Sequence, residues 1–265
     1  MTFTGLDQIK ATTMIKSGLV SVTFRQLAPA AIVDLACQAK IAGIEWGGDI
    51  HVPHGDLKTA EAVARLTRAA GLAVAAYGSY YKVGHSEAEG LAFANVLATA
   101  KVLGAPVIRV WAGNQGAAQA DAAYREKIRQ DARRLAELAA AAGLTVAFEY
   151  HSHSLTDTAA STRELLEAVQ HPALKTCWQP LGADAESCRE SLRTVLPRLA
   201  NLHVYHWNTA TGTRLPLKDG ADAWRQYLDL AGPTDGERYA LLEFVRDDSP
   251  AAFLEDAQTL NAWVS

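Results

Sequence analysis

The sequence predicts a (β/α)8 barrel, and three observations carry that expectation. Short apolar runs alternate with longer Ala/Leu-rich stretches eight times along the 265-residue chain. The short runs are apolar throughout rather than alternately apolar and polar, as strands covered on both faces should be. Several long stretches end on a glycine that leads straight into the next run, at Gly43, Gly71, Gly104 and Gly143, which suits short connections closed by a glycine cap. A doubly wound open sheet is the alternative, but no G-x-G-x-x-G follows the first strand. No linker or low-complexity tract breaks the pattern, so residues 1–265 read as a single domain.

Taken in order, IKSGLVSVTF leads to APAAIVDLACQAKIAG, whose Ala30, Ile32, Val33, Leu35 and Ala36 crowd one helical face and whose Gly43 closes the helix. IEWGG precedes LKTAEAVARLTRAAG, and LAVAAYGSYY precedes EGLAFANVLATAKVLG. PVIRVWAG precedes the long ADAAYREKIRQDARRLAELAAAAG, whose EKIRQDARR run reads as a solvated helix face. LTVAFEY precedes TAASTRELLEAVQ, and LKTCWQP precedes DAESCRESLRTVLPRL. NLHVYHW precedes ADAWRQYLDLAG, and RYALLEFV precedes PAAFLEDAQTLNAWV.

Composition narrows the function classes. An apolar fraction of 49% provides for a sizeable core and argues against disorder. A net charge of -4 argues against a nucleic-acid partner, because phosphate contacts need a concentrated positive face. Cys37, Cys177 and Cys188 are odd in number and widely spaced, which fits a reducing cytosol and no disulfide framework. Met1 to Lys16 lacks the apolar stretch of a signal peptide, and no run approaches the roughly 20 apolar residues of a membrane span. The expectation is a cytoplasmic protein with no membrane partner, for which a homo-oligomer is compatible.

In such a barrel the active site forms at the C-terminal ends of the strands. Strand 2 ends in Glu45, Trp46 and Asp49, strand 3 in Tyr77, Tyr80 and Tyr81, and strand 4 in Arg109, Trp111 and Asn114. Strand 5 ends in Glu149 with His151 and His153 beyond, and strand 6 in Trp178 and Gln179. Strand 7 carries His203, Tyr205 and His206; strand 8 ends in Glu243, with Arg246 beyond. Glu149 follows VAF and Glu243 follows ALL, at the tips of apolar strands where an isolated carboxylate is costly to bury. A shared divalent cation removes that cost, and carboxylate oxygens with an imidazole nitrogen suit Mn, Co, Mg or Zn. Each residue alone has a plain structural reading: a salt-bridged glutamate, a core histidine bonded to a carbonyl. Trp46, Trp111, Trp178 and Trp207 either cover the barrel mouth or offer aromatic faces to a sugar.

A Glu ending strand 5, a His within strand 7 and a Glu ending strand 8 resemble the xylose isomerase-like TIM barrel superfamily. GIEWGG, VIRVWAG, AFEYH and LLEF are the local signatures, and the resemblance runs from about Lys16 to Leu260. It implies one divalent metal held by Glu149, His203 and Glu243, with a fourth ligand on strand 6. There relatives usually carry Asp and a His three residues later, whereas CWQPLG places Gln179 and Gly182. Gln can ligate through its carbonyl oxygen but brings no charge, which weakens affinity without excluding the metal.

The chemistry the resemblance implies is proton abstraction beside a carbonyl, with the metal stabilising an enediolate. Glu149 and Glu243 on opposite faces would give epimerisation; a single base returning the proton to the neighbouring carbon would give isomerisation. Dehydration is the related outcome. Trp46, Arg109, Trp111, His151, His206, Lys218 and Arg246 are the candidate substrate contacts, Lys218 because RLPLKDG resembles the family's loop after strand 7. The expected substrate is a small sugar or polyol. A repair endonuclease of the same fold would need about three zinc ions and a basic face. A carbohydrate-binding relative without turnover is the other alternative, marked by Gln179.

Overall fold

The computed structural model describes residues 15–182, 184–232 and 236–264; residues 1–14, on which the expectation of no signal peptide falls, lie outside them. Eight strands form the barrel: β1 (Lys16–Val20), β2 (Gly43–Gly47), β3 (Ala73–Lys82), β4 (Val107–Trp111), β5 (Thr145–Glu149), β6 (Leu174–Trp178), β7 (Leu199–Val204) and β8 (Tyr239–Leu242). They alternate with α1 (Pro29–Gln38), α2 (Leu57–Ala69), α3 (Phe93–Leu103), α4 (Ala122–Ala141), α5 (Ala159–Val169), α6 (Ala185–Val195), α7 (Ala221–Ala231) and α8 (Pro250–Val264). Every strand pairs in parallel with the next, and β1 pairs with β8 to close the barrel.

Gly71, Gly104 and Gly143 follow α2, α3 and α4 with φ of 75°, 79° and 73°, a left-handed turn that a Cβ would resist. Gly43 does not close α1. That helix ends at Gln38, and Lys40 takes the left-handed turn (φ 55°). Gly43 is instead the first residue of β2, where a Cβ would lie 2.8 Å from the Tyr239 ring. Strand 1 is also shorter than expected: it stops at Val20, and Ser21–Phe24 turns into a 3-10 helix.

Two cores result. The larger lies between strands and helices and holds Ile32, Val33, Leu35, Ala36, Phe148, Trp178, Leu192 and Phe253 among others. Burial of each large side chain there contributes roughly 1.5–3 kcal/mol. The barrel axis carries smaller clusters, Val20, Ala75, Tyr239 and Leu241 on one side and Ala147, Cys177 and Ala200 on the other. Side chains alternate along a regular strand, so on β5, β6 and β8 the residue two positions on from these faces the same way. Ala147 therefore sets the direction of Glu149, Cys177 that of Gln179, and Leu241 that of Glu243. The apolar plug thus continues upward into a charged layer at the C-terminal ends of the strands.

Candidate metal and active site

Glu149, His203 and Glu243 meet in that layer. Each offers one ligand atom, and the three atoms all lie within 4.8 Å of one another with all three residues buried. His203 Nδ1 is 3.3 Å from Glu243 Oε2 and 3.8 Å from Glu149 Oε1, yet it has no hydrogen-bond partner. Its Nε2 lies 3.4 Å from Glu45 Oε2. An imidazole that donates from Nε2 to a carboxylate keeps its Nδ1 lone pair free, the arrangement in which histidine binds a metal. The donor set of two carboxylates and one imidazole nitrogen fits a divalent cation of the Mn, Co, Mg or Zn kind.

Glu45 and Arg109 complete the layer. Arg109 Nε donates to Glu45 Oε1 at 2.6 Å, and its Nη1 donates to Glu149 Oε2. Trp111 Nε1 donates to the same Glu149 oxygen at 2.5 Å. Gly78 makes this possible: a Cβ there would stand 2.6 Å from Arg109 Nη2 and 2.8 Å from Glu45 Oε1. The Tyr80 ring covers the guanidinium at 4.9 Å.

Burial alone would raise both carboxyls. Arg109 and His203 outweigh it, holding Glu45 down at about 2 and Glu149 below its usual range. Burial alone would likewise lower His203, but Glu243 and Glu45 push it up to about 10. Without a cation, then, His203 is protonated and neutralises part of the cluster. With a dication the three carboxylates balance Arg109 plus the metal, and a neutral imidazole suffices.

Gln179 is buried beside Glu149, but its amide nitrogen faces the cluster, donating to Tyr150 O at 2.9 Å and lying 3.5 Å from Glu149 Oε1. Two acceptors on that side fix the amide's orientation. Gln179 therefore stands here as a donor to Glu149, where the sequence suggests a carbonyl ligand.

His151 stacks on Trp111, with ring centroids 4.9 Å apart and planes 18° apart, and its Nδ1 lies 2.6 Å from Ser152 O. Nδ1 must carry the proton in that bond, so the neutral ring presents Nε2 as an acceptor. His153 is exposed in a left-handed conformation (φ 60°). The other sequence candidates lie apart from the cluster. Trp46 points outward, because Glu45 takes the inward position, and bonds Thr67 Oγ1 on α2 at 3.2 Å. Trp178 likewise bonds Ser191 Oγ on α6 at 2.9 Å. His206 packs against Gly220, Lys218 is exposed, and Arg246 pairs with Glu255 of α8 at 3.4 Å. Glu45, which bonds Arg109 and faces His203, is the member of the cluster that sequence reasoning placed at a strand end without giving it a role. The signal was available: it is a carboxylate between isoleucine and tryptophan in a five-residue strand that is buried throughout.

A family model described as xylose isomerase-like TIM barrel matches residues 33–263. A 3-dehydroshikimate dehydratase of Bacillus anthracis is 31% identical over 157 residues, which are 52% of this chain and 55% of that relative. The crystal structure of the probable 3-DHS dehydratase AsbF from Bacillus anthracis superposes with a TM-score of 0.78 at 23% identity, covering 93% of this chain and 99% of that one. A D-allulose 3-epimerase from Methylomonas sp. in complex with D-allulose gives a TM-score of 0.71 at 14% identity, covering 96% and 99%. At these identities the two structures establish a common fold.

Proposed function

The chain belongs to the xylose isomerase-like TIM barrel family, and from the geometry of its barrel mouth we propose that it is a metal-dependent dehydratase of a small polyhydroxylated carbonyl compound. A divalent cation held by Glu149, His203 and Glu243 would supply Lewis acidity toward a carbonyl and a neighbouring hydroxyl oxygen.

The observation that carries the choice of reaction is the clamp on Glu149. Epimerisation between Glu149 and Glu243, as the sequence suggests, needs both carboxylates to take and return protons. Arg109 and Trp111 donate to one oxygen of Glu149 and the Gln179 amide faces the other, a setting that keeps the carboxylate ionised and makes it a poor base. His151 is the better base. Its Nε2 takes the proton from the carbon beside the carbonyl; the C–H electron pair becomes a C=C bond as the C–O bond to the next carbon breaks. The leaving hydroxide collects the proton from His151 and departs as water, so one histidine serves both halves of an elimination on a single face. Identity to a 3-dehydroshikimate dehydratase supports the same reading.

The test is incubation of the manganese-loaded protein with 3-dehydroshikimate and with D-allulose in deuterated water, followed by mass spectrometry. Loss of one water from 3-dehydroshikimate is the expected result. Deuterium gained without loss of water would replace dehydration by epimerisation or isomerisation. No change in either compound would remove this reading of the site.

A further inference from the structure

The candidate metal ligands come from β5, β7 and β8, but a strained irregularity of the mouth lies on β3. Gly78 of β3 pairs with Arg109 of β4, yet the next pair is Tyr81 with Val110. Ser79 and Tyr80 are thus inserted opposite nothing, and Tyr80 sits at φ 54°, a conformation that an aromatic residue adopts only when its surroundings force it. The insertion has two results. It lays the Tyr80 ring over Arg109, and it carries the strand two residues further, so that Lys82 ends level with Trp111.

The Lys82 ammonium lies 5.9 Å from the centre of the Trp111 ring, whose Nε1 bonds Glu149. Among the described residues Lys82 has no ion-pair partner. By contrast Arg25 is committed to Asp49 at 2.6 Å, Arg214 to Asp248, and Arg109 to Glu45 and Glu149, while Lys218 is exposed. Lys82, Tyr80, Ser86 and Trp111 line a cleft of about 430 Å³, with Asp49 and Glu89 also on its wall. Asp49 is the carboxylate already paired with Arg25, and Glu89 is exposed. Trp111 is therefore a shared wall, with the carboxylate cluster bonded to its indole nitrogen and a half-buried, unpaired cation over its ring.

We propose that Lys82 is the specificity residue of the site and binds a carboxylate carried by the substrate, so that the protein selects keto acids over neutral sugars. This rests on the reading of the mouth as a site for a small polyhydroxylated carbonyl compound and names the class within it. A single flexible ammonium without converging backbone N–H groups suits a carboxylate, which one or two charge-assisted hydrogen bonds can satisfy.

The experiment measures binding rather than turnover. Shikimate retains the carboxylate and hydroxyls but has an alcohol in place of the ketone, so no proton is activated; its methyl ester is the neutral counterpart. Dissociation constants of both are measured by calorimetry on the manganese-loaded wild type, Lys82→Met and Lys82→Arg, with circular dichroism as the check on folding. The wild type should prefer the acid by about tenfold or more, the worth of one charge-assisted hydrogen bond. Lys82→Met should bring the ratio to about one, and Lys82→Arg should keep most of it. An unchanged preference in Lys82→Met, or a wild type that binds the ester as well as the acid or binds neither, overturns the assignment. Acid selectivity without dehydration of 3-dehydroshikimate leaves Lys82 in place and removes the dehydratase reading. Dehydration with a selectivity that Lys82→Met does not change does the reverse.

Discussion

The two arcs of the barrel mouth do different work. On one, β5, β7 and β8 bring Glu149, His203 and Glu243 together from strand tips, with Ala147 two positions before Glu149 and Leu241 two positions before Glu243 in the apolar plug. On the other, β2, β3 and β4 bring Glu45, Arg109, Trp111 and the Tyr80 ring, through a strained insertion and a glycine that cannot carry a Cβ. The first arc offers the candidate ligands. The second fixes their charge and direction: Arg109 holds two of the carboxylates ionised, and Glu45 faces the His203 nitrogen opposite Nδ1. A ligand set of this kind recurs wherever a divalent ion is to be held, whereas the clamp decides what else the ligands are free to do. Glu149 and Glu243 look alike in sequence, but Glu149 is held by Arg109 and Trp111 while Glu243 faces His203.

Substitutions can separate the arcs. The largest effect is expected from His151→Gln, which leaves the ligands in place but removes the base. Turnover should fall about a hundredfold to ten-thousandfold, with the manganese dissociation constant unmoved; a matching loss of metal affinity would place His151 among the ligand-supporting groups instead. Arg109→Met removes the clamp and leaves Glu45 and Glu149 buried without their counter-charge. Breaking a buried pair in this way costs about 3–5 kcal/mol, to be read in denaturant unfolding of the metal-free protein. A loss below about 1 kcal/mol would mean that water already screens the cluster.

Glu45→Gln tests the second arc's hold on the first. An outer partner of a ligating histidine is worth about tenfold to a hundredfold in metal affinity, so manganese titration should show that loss while Glu149, His203 and Glu243 remain. Unchanged affinity would reduce Glu45 to a counter-ion for Arg109.

The smallest effect is a pH dependence. His203 is raised in the folded state to about 10 from 6.5, so in the metal-free protein its stabilisation is complete below pH 6.5 and is lost as pH rises toward 10. The metal displaces that proton, so its affinity should move in the opposite sense, rising about tenfold per pH unit below 10. Calorimetric titrations in buffers of different ionisation enthalpy should count about one proton released; none would mean that His203 is neutral before the metal binds.

Much of this was legible in the chain. The eightfold alternation of apolar run and Ala/Leu-rich helix announced the barrel, because both faces of a parallel strand must be covered. Glu149 and Glu243 stood out because a charge at the tip of an apolar run calls for a partner, and His203 for the same reason. Boundaries were less visible: Gly43 reads as a helix cap, yet it serves β2 by admitting the Tyr239 ring, a contact 196 residues away in sequence. Trp46 and Trp178 sit at strand ends as Trp111 does, but whether such a residue faces the axis or a helix depends on the pleat, and a run of five buried residues does not display its phase.

The sequence by itself therefore determined the architecture and three of the residues at its centre, because hydrophobic period and the cost of a buried charge are local properties. The tertiary structure alone decided that Arg109 spans Glu45 and Glu149, that Gln179 turns its nitrogen to the cluster, and that Lys82 reaches Trp111. Each of these depends on the register between neighbouring strands, and the two inserted residues of β3 shift that register without leaving any mark in hydrophobic pattern.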